Sequence, residues 1–263
     1  MAGNQNATTA TTTTTATTPP QERHRGLALV IGHSRTASLR RLGDWLAQRG
    51  LDHRLAFGPD GLPRSLSGYD ALIVLGGAPL PDDDERYPWL PATRHLVSEA
   101  LDESVPQLGI CLGGQLLAYV GGGRVEHRIL RPEHGMTEIS VTSAAAGDAL
   151  FSSLPDTFPM VENHVDHITA LPADAVLLAR SDRSPVQGFR LGDRAWGLQF
   201  HPEISEENVE HWDEDDRKAV RTDGFDWDEV VRHGREQDHA NVDVARAFAW
   251  TFADICLQSR ANR

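Results

Sequence analysis

Two stretches of this chain, Leu27-Ala28-Leu29-Val30-Ile31-Gly32 and Ala71-Leu72-Ile73-Val74-Leu75-Gly76-Gly77, are apolar without interruption and stop at glycine. Runs this short and uniform lack the alternation of a half-exposed strand, and they read as strands covered on both faces. Between them the apolar period changes. Leu39, Leu42, Trp45 and Leu46 recur at helical spacing up to Gly50, a natural stop. A weaker strand is expected over 52–57, a helix over 91–102 and a further strand over 105–110. Strands alternating with helices imply a parallel sheet with right-handed crossovers, hence helices on both faces. The expected class is α/β, in three layers.

The second half reads differently. Segments 135–142, 157–163, 175–181, 185–190 and 195–200 read as strands separated by short turns, and antiparallel additions to the mostly parallel sheet account for them most simply. Over 242–256, Ala245, Phe248, Ala249, Phe252 and Ile255 share one helical face that should dock on the core. The acidic segment 205–240 holds Asp213-Glu214-Asp215-Asp216 and two tryptophans, Trp212 and Trp227. Its charge run reads as a solvated face. Exposed tryptophans would instead suggest a lid or a docking element.

Residues 1–25 form a threonine- and alanine-rich tail with too few large apolar side chains to offset the entropy of ordering, and are expected to be disordered. The rest, 26–263, is expected to be one domain, long enough for a substantial core. The net charge of -13 disfavours non-specific nucleic-acid binding. No apolar run approaches the ~18 residues of a membrane span, and the N-terminus lacks the apolar core of a signal peptide. The two cysteines, Cys111 and Cys256, make no disulfide framework. They suit a reducing cytoplasm, where a cysteine in a special context is a candidate nucleophile.

Cys111 has that context. Gly109-x-Cys111-x-Gly113 lies between an apolar strand and an apolar helical run, the layout of a nucleophile elbow. The turn would project the thiol from the carboxyl end of a strand, at a helix N-terminus that favours thiolate. Taken alone, the pattern fits a buried structural cysteine equally well. A nucleophile needs a base, and the base needs an orienting group. In Trp196-Gly197-Leu198-Gln199-Phe200-His201-Pro202-Glu203, a strand ends in histidine and a carboxylate follows two residues on, on the same side if the segment is extended. Oxyanion donors would be the backbone N–H groups of Gly77, after a buried strand, and Leu112, after the cysteine. Cys256 reads as a small core hydrophobe.

The motif GICLGGQLLA, residues 109–118, resembles the nucleophile motif of class I glutamine amidotransferases, the type with a Cys-His-Glu triad. GLQFHPE, residues 197–203, resembles their His/Glu motif. VLGGAPLPDDDERYPWL, residues 74–90, is similar to the oxyanion loop of the subgroup close to the glutaminase domain of GMP synthase. The resemblance spans about residues 26–204 and implies a stand-alone member with a flavodoxin-like fold. It implies that Cys111 attacks the side-chain amide of glutamine, that His201 relays the proton, and that water hydrolyses a γ-glutamyl thioester. It also implies substrate contacts at Gln115, at the backbone around His134 and Gly135, and at Asn163 and His164. Ala78 stands where the family often has proline, Gly114 where histidine or alanine is common, and Asn163-His164-Val165-Asp166 where His-Gly-Asp is usual. No cofactor is implied. Residues 163–167 read as plain polar residues, with no metal expected.

Three functions fit these residues. One is a glutaminase that donates ammonia to a separate synthetase, since the chain has neither room for a synthetase module nor a G-x-x-x-x-G-K-[ST] phosphate loop. Another is a free-standing hydrolase of γ-glutamyl amides or peptides. The third is a non-catalytic regulator that keeps the fold. The expected partners are glutamine or a γ-glutamyl compound and a synthetase, with no nucleic acid or membrane.

Overall fold

A computed structural model describes residues 25–261. Apart from Arg25, the threonine-rich tail lies outside the described residues. The chain begins with β1 (Gly26–Gly32), α1 (Arg40–Gln48), β2 (Leu51–Phe57), β3 (Ala71–Val74), α2 (Leu90–Asp102), β4 (Gln107–Ile110) and α3 (Leu112–Val120). Seven strands follow: β5 (Arg124–His127), β6 (Glu133–Val141), β7 (Thr157–His164), β8 (Asp166–Ala170), β9 (Val176–Arg180), β10 (Gly188–Leu191) and β11 (Ala195–Leu198). Helices α4 (Glu206–Glu210), α5 (Glu214–Thr222) and α6 (Trp227–Ala261) complete the described chain.

Nine strands form one sheet in the order β2-β1-β3-β4-β11-β10-β9-β6-β7. Neighbours from β2 to β11 run parallel. From β11 onward the pairs are antiparallel, as the short turns of the second half predict. The two apolar runs alternate their buried side chains between two cores, which is why they carry no polar face. Ala28, Val30, Ala71 and Ile73 pack with Leu42 and Leu46 of α1 and Phe248 and Phe252 of α6. Leu29, Ile31, Leu72 and Val74 pack with Leu96 and Val97 of α2 and Leu112 and Leu116 of α3. Strands β5 and β8, which sequence patterning misses, pair outside the main sheet.

The charge run Asp213-Glu214-Asp215-Asp216 is exposed, as a solvated face should be, and it opens a capped helix. Ser205 caps α4 in a reciprocal box with Asn208, and Asp213 caps α5 by accepting from the Asp216 N–H. Glu214, Asp215 and Asp216 fill the first turn of α5, where negative charge complements the helix dipole. The tryptophans are not exposed. Trp212 is buried, Trp227 lies 6.0 Å from it, and both pack with Val209, Val220 and Val230 over Met136 and Val161. The terminal helix expected over 242–256 starts fifteen residues earlier, at Trp227, because this third core covers its polar first half.

Asp148 ties the antiparallel strands to the loop before β7. Its Oδ1 accepts from the N–H groups of Leu150 and Phe151 and from Trp196 Nε1 at 3.0 Å, and its Oδ2 accepts from Arg190 Nε at 2.8 Å. Removing this buried carboxylate orphans an indole N–H and a half-buried guanidinium. Asp148→Ala is expected to lose about 3 kcal/mol of stability, measured as a shift in urea midpoint at constant m-value.

Candidate active site

Strand β4 ends in a backbone conformation that side chains rarely adopt. Cys111 has φ 53° and ψ −108°, in the left-handed half of the map, and is the N-cap of α3. Such strain costs on the order of 1–3 kcal/mol, and the surroundings must hold it in place. They do so from both neighbouring strands. The Cys111 N–H donates to Leu198 O, at the end of β11, at 2.8 Å. A methyl group on Gly113 would come within 2.1 Å of Val74 O, so only glycine lets α3 approach β3 this closely. The thiol therefore sits at the carboxyl ends of three adjacent parallel strands.

His201 arrives from the end of β11, where its backbone bridges Val161 of β7. Glu203 reaches it from a turn, not from an extended segment: the Ile204 N–H returns to His201 O at 3.3 Å. His201 Nδ1 lies 2.7 Å from Glu203 Oε1. The opposite ring nitrogen, Nε2, is buried and makes no hydrogen bond. Burial works against a charged imidazole here, but the Glu203 carboxylate and the Cys111 thiol outweigh it and hold the proton affinity of His201 well above the ordinary histidine value. A methyl group on Gly76 would sit 3.0 Å from His201 Cε1, 3.3 Å from Cys111 Cβ and 3.9 Å from its sulfur. Sulfur and imidazole thus meet beside one glycine, with the carboxylate on the opposite ring nitrogen.

Several supporting residues are missing from the sequence reading. Gln199 Nε2 points at Cys111 Sγ at 3.7 Å, and its Oε1 accepts from Gln115 Nε2 at 3.3 Å. Gln115 Nε2 also donates to Asp166 O at 3.2 Å. Gln199 is visible in the motif as the residue two before His201, on the same side of the chain. Arg41, on α1, carries no sequence signal. Its buried guanidinium donates from Nε to Pro202 O at 3.0 Å and from Nη2 to Asn241 Oδ1 at 2.6 Å, which fixes the turn that presents Glu203. Gly76, not Gly77, is the glycine that touches both Cys111 and His201. Gly77 lies against His33 and Leu112.

Cys111, His201, Glu203, Gly77, Leu112 and Gln115 share one end of the sheet. His134 and Gly135 lie on β6, with β7 between them and the Val161–His201 bridge. Gly135 is covered by Val230 of α6, and His134 spends its ring nitrogens on Asn163 Oδ1 and Asp223 Oδ2, each at 2.9 Å. Val230 thus takes the side-chain face of Gly135, and internal partners occupy both ring nitrogens of His134. The side chains of Asn163 and His164 are likewise committed inward.

Fold and site define a cysteine-centred α/β protein with an activated histidine at the mouth of a parallel sheet. The family model Glutamine amidotransferase class-I matches residues 60–211. A glutamine-hydrolysing GMP synthase component from Thermoplasma acidophilum, itself named as one subunit of that enzyme, is 35% identical over 161 residues, covering 60% of this chain and 75% of that one. Its counterpart from Methanopyrus kandleri is 38% identical over 113 residues, covering 43% of this chain and 58% of that one. A glutamine amidotransferase structure from Thermotoga maritima superposes with a TM-score of 0.77 at 25% identity, over 89% of this chain and 99% of that one. This chain belongs to the class I glutamine amidotransferases. Among its described residues, no helix is long and apolar enough to cross a membrane.

Two measurements probe the site. Iodoacetamide should modify Cys111, at the site, and spare Cys256, which is fully buried in α6; peptide mapping that finds label on Cys256 first would contradict this geometry. His33, packed on Gly77, accepts from Trp89 Nε1 at 3.2 Å, and burial lowers its pKa from 6.5 to about 4. The unfolded chain then takes up this proton first, so the contribution of neutral His33 is intact above pH 6.5 and is lost as pH falls toward 4. Between pH 7 and pH 4.5 the urea midpoint should fall further for the wild type than for His33→Gln; equal falls would refute the assignment.

Proposed function

We propose that this chain hydrolyses the side-chain amide of glutamine and supplies ammonia to a separate synthetase. The carrying observation is the buried, unpaired Nε2 of His201 beside Cys111, with Glu203 on the opposite ring nitrogen. Sγ attacks the carboxamide carbon as thiolate, its proton already held on Nε2, and Glu203 stabilises that imidazolium. The oxygen of the tetrahedral intermediate takes hydrogen bonds from the backbone N–H groups of Gly77 and Leu112. Leu112 is the first residue of α3, so its N–H has no acceptor within the helix. The carbon–nitrogen bond then breaks, His201 protonates the departing nitrogen, and ammonia leaves a γ-glutamyl thioester. Water adds with His201 as base, releasing glutamate and restoring the thiolate and imidazolium.

Gln199 positions the sulfur, and Gln115, anchored through Nε2, keeps its carbonyl oxygen for the substrate. The synthetase partner is supported by the two archaeal relatives, whose names describe one subunit of a glutamine-hydrolysing GMP synthase. A reducing, cytoplasmic compartment suits a free nucleophilic thiol.

Incubation of the purified chain with glutamine and a panel of substituted γ-glutamyl amides tests this. Glutamate and ammonia should appear in equal amounts from glutamine. Cys111→Ala and Glu203→Gln should each lower kcat/KM by on the order of 10⁴-fold. Full activity in Cys111→Ala would remove the nucleophile assignment. A substituted amide turned over faster than glutamine would replace the ammonia donor with a free-standing γ-glutamyl hydrolase.

A further inference from the structure

We propose that Glu133, Glu162 and His164 form a buried binding site for one divalent transition-metal ion, with zinc the best match to their donor atoms. Glu162 follows Val161, whose backbone bridges His201, and His164 shares the Asp166 carbonyl with Gln115, so the cluster borders the hydrolytic site but uses neither its nucleophile nor its base. Antiparallel register sets Glu133 of β6 directly opposite His164 of β7, and Glu162, two residues before His164, faces the same side. One ligand atom from each residue lies within 4.8 Å of the others, and all three residues are buried.

The histidine is held as a ligand would be. His164 Nδ1 lies 3.1 Å from Asp166 O, a backbone acceptor, so Nδ1 carries the hydrogen. In the neutral ring this leaves the lone pair on Nε2, which faces Glu133 Oε2 at 3.0 Å and Glu162 Oε2 at 3.3 Å. Metal-binding histidines typically have their other ring N–H on a backbone carbonyl or carboxylate in this way. The two separations also match the edge of about 3.3 Å of a tetrahedron built on bonds of about 2.0 Å. Glu133 has the outer support of a ligand: Ser181 Oγ donates to its Oε1 at 2.6 Å and Gln187 Nε2 to its Oε2 at 2.7 Å.

The independent sign of a missing cation is Glu162. It is fully buried, and neither carboxylate oxygen accepts a hydrogen bond. A buried carboxylate in this state is too costly to persist alone. An imidazolium at His164 would balance only one of the two glutamates, whereas a dication with neutral imidazole balances both. Glu133 also stands beside a cavity of about 510 Å³ between β6 and the start of α6. Residues 163–167 alone gave no reason to expect a metal; the two glutamates enter only through strand pairing.

The test uses the full-length chain, stripped with a chelator and re-equilibrated with Zn²⁺ alone. Bound metal is counted by mass spectrometry, and affinity is measured by competition with a chromophoric chelator. Wild type and Cys111→Ala should each hold one zinc ion, and zinc should raise the thermal midpoint of both. Glu162→Gln keeps the volume and removes the charge; it should bind zinc roughly 100-fold or more weakly and show no midpoint shift. His164→Gln, which removes the nitrogen donor, should lose zinc in the same way and covers the case in which Glu162→Gln fails to fold. Absence of bound zinc in the wild type, or wild-type affinity in Glu162→Gln, would leave a proton as the occupant and overturn the proposal. Loss of zinc in Cys111→Ala would place the ion on the thiol and overturn it equally.

Discussion

The strained turn at Cys111 is the constraint on which the rest of the site depends. A cysteine held at φ 53° must be locked by its surroundings, and here the lock is the close approach of three strands and one helix. Leu198 O holds its N–H, Gly113 lets α3 seat against Val74, and Gly109 leaves room for the Gly113 carbonyl, which a methyl group there would meet at 2.3 Å. The same hydrogen bond to Leu198 places the end of β11 beside the thiol, so the position of His201 follows from the geometry that strains the cysteine.

That geometry explains why the polar residues around the pair are layered. His201 takes orientation from Glu203, Glu203 from a turn, and the turn from Arg41 through the Pro202 carbonyl. On the other side Asp166, Gln115, Gln199 and Cys111 form a chain of donors and acceptors. Each group is buried, so each has to find a partner or carry a cost. His201 Nε2 and Glu162 are buried groups left without a hydrogen bond. The first lies beside the thiol, where a proton must be received. The second lies between strands, where a cation would complete it.

The helices after the His/Glu motif add a third core to a sheet that already has one on each face. Asp223, at the turn after α5, pairs with Arg128 and His134, and His134 in turn bonds Asn163. The end of β6 and β7 is thereby closed by helices, and the residues near it act as internal struts.

The sequence by itself determined the strands of the main sheet, the elbow and the His-x-Glu pair, because each is written in neighbouring residues: apolar runs, glycines at fixed offsets, and one histidine at a strand end. It also carried the caps of α4 and α5, in Ser205 to Asn208 and Asp213 to Asp216, and the solvated acid run that opens α5. Only the tertiary structure decided that Arg41 serves Glu203, that Gln199 faces the sulfur, that α6 covers Gly135, and that Glu133 stands opposite His164. Those facts depend on register and packing between segments tens to hundreds of residues apart, and a one-residue slip between β6 and β7 would turn Glu133 and His164 to opposite faces.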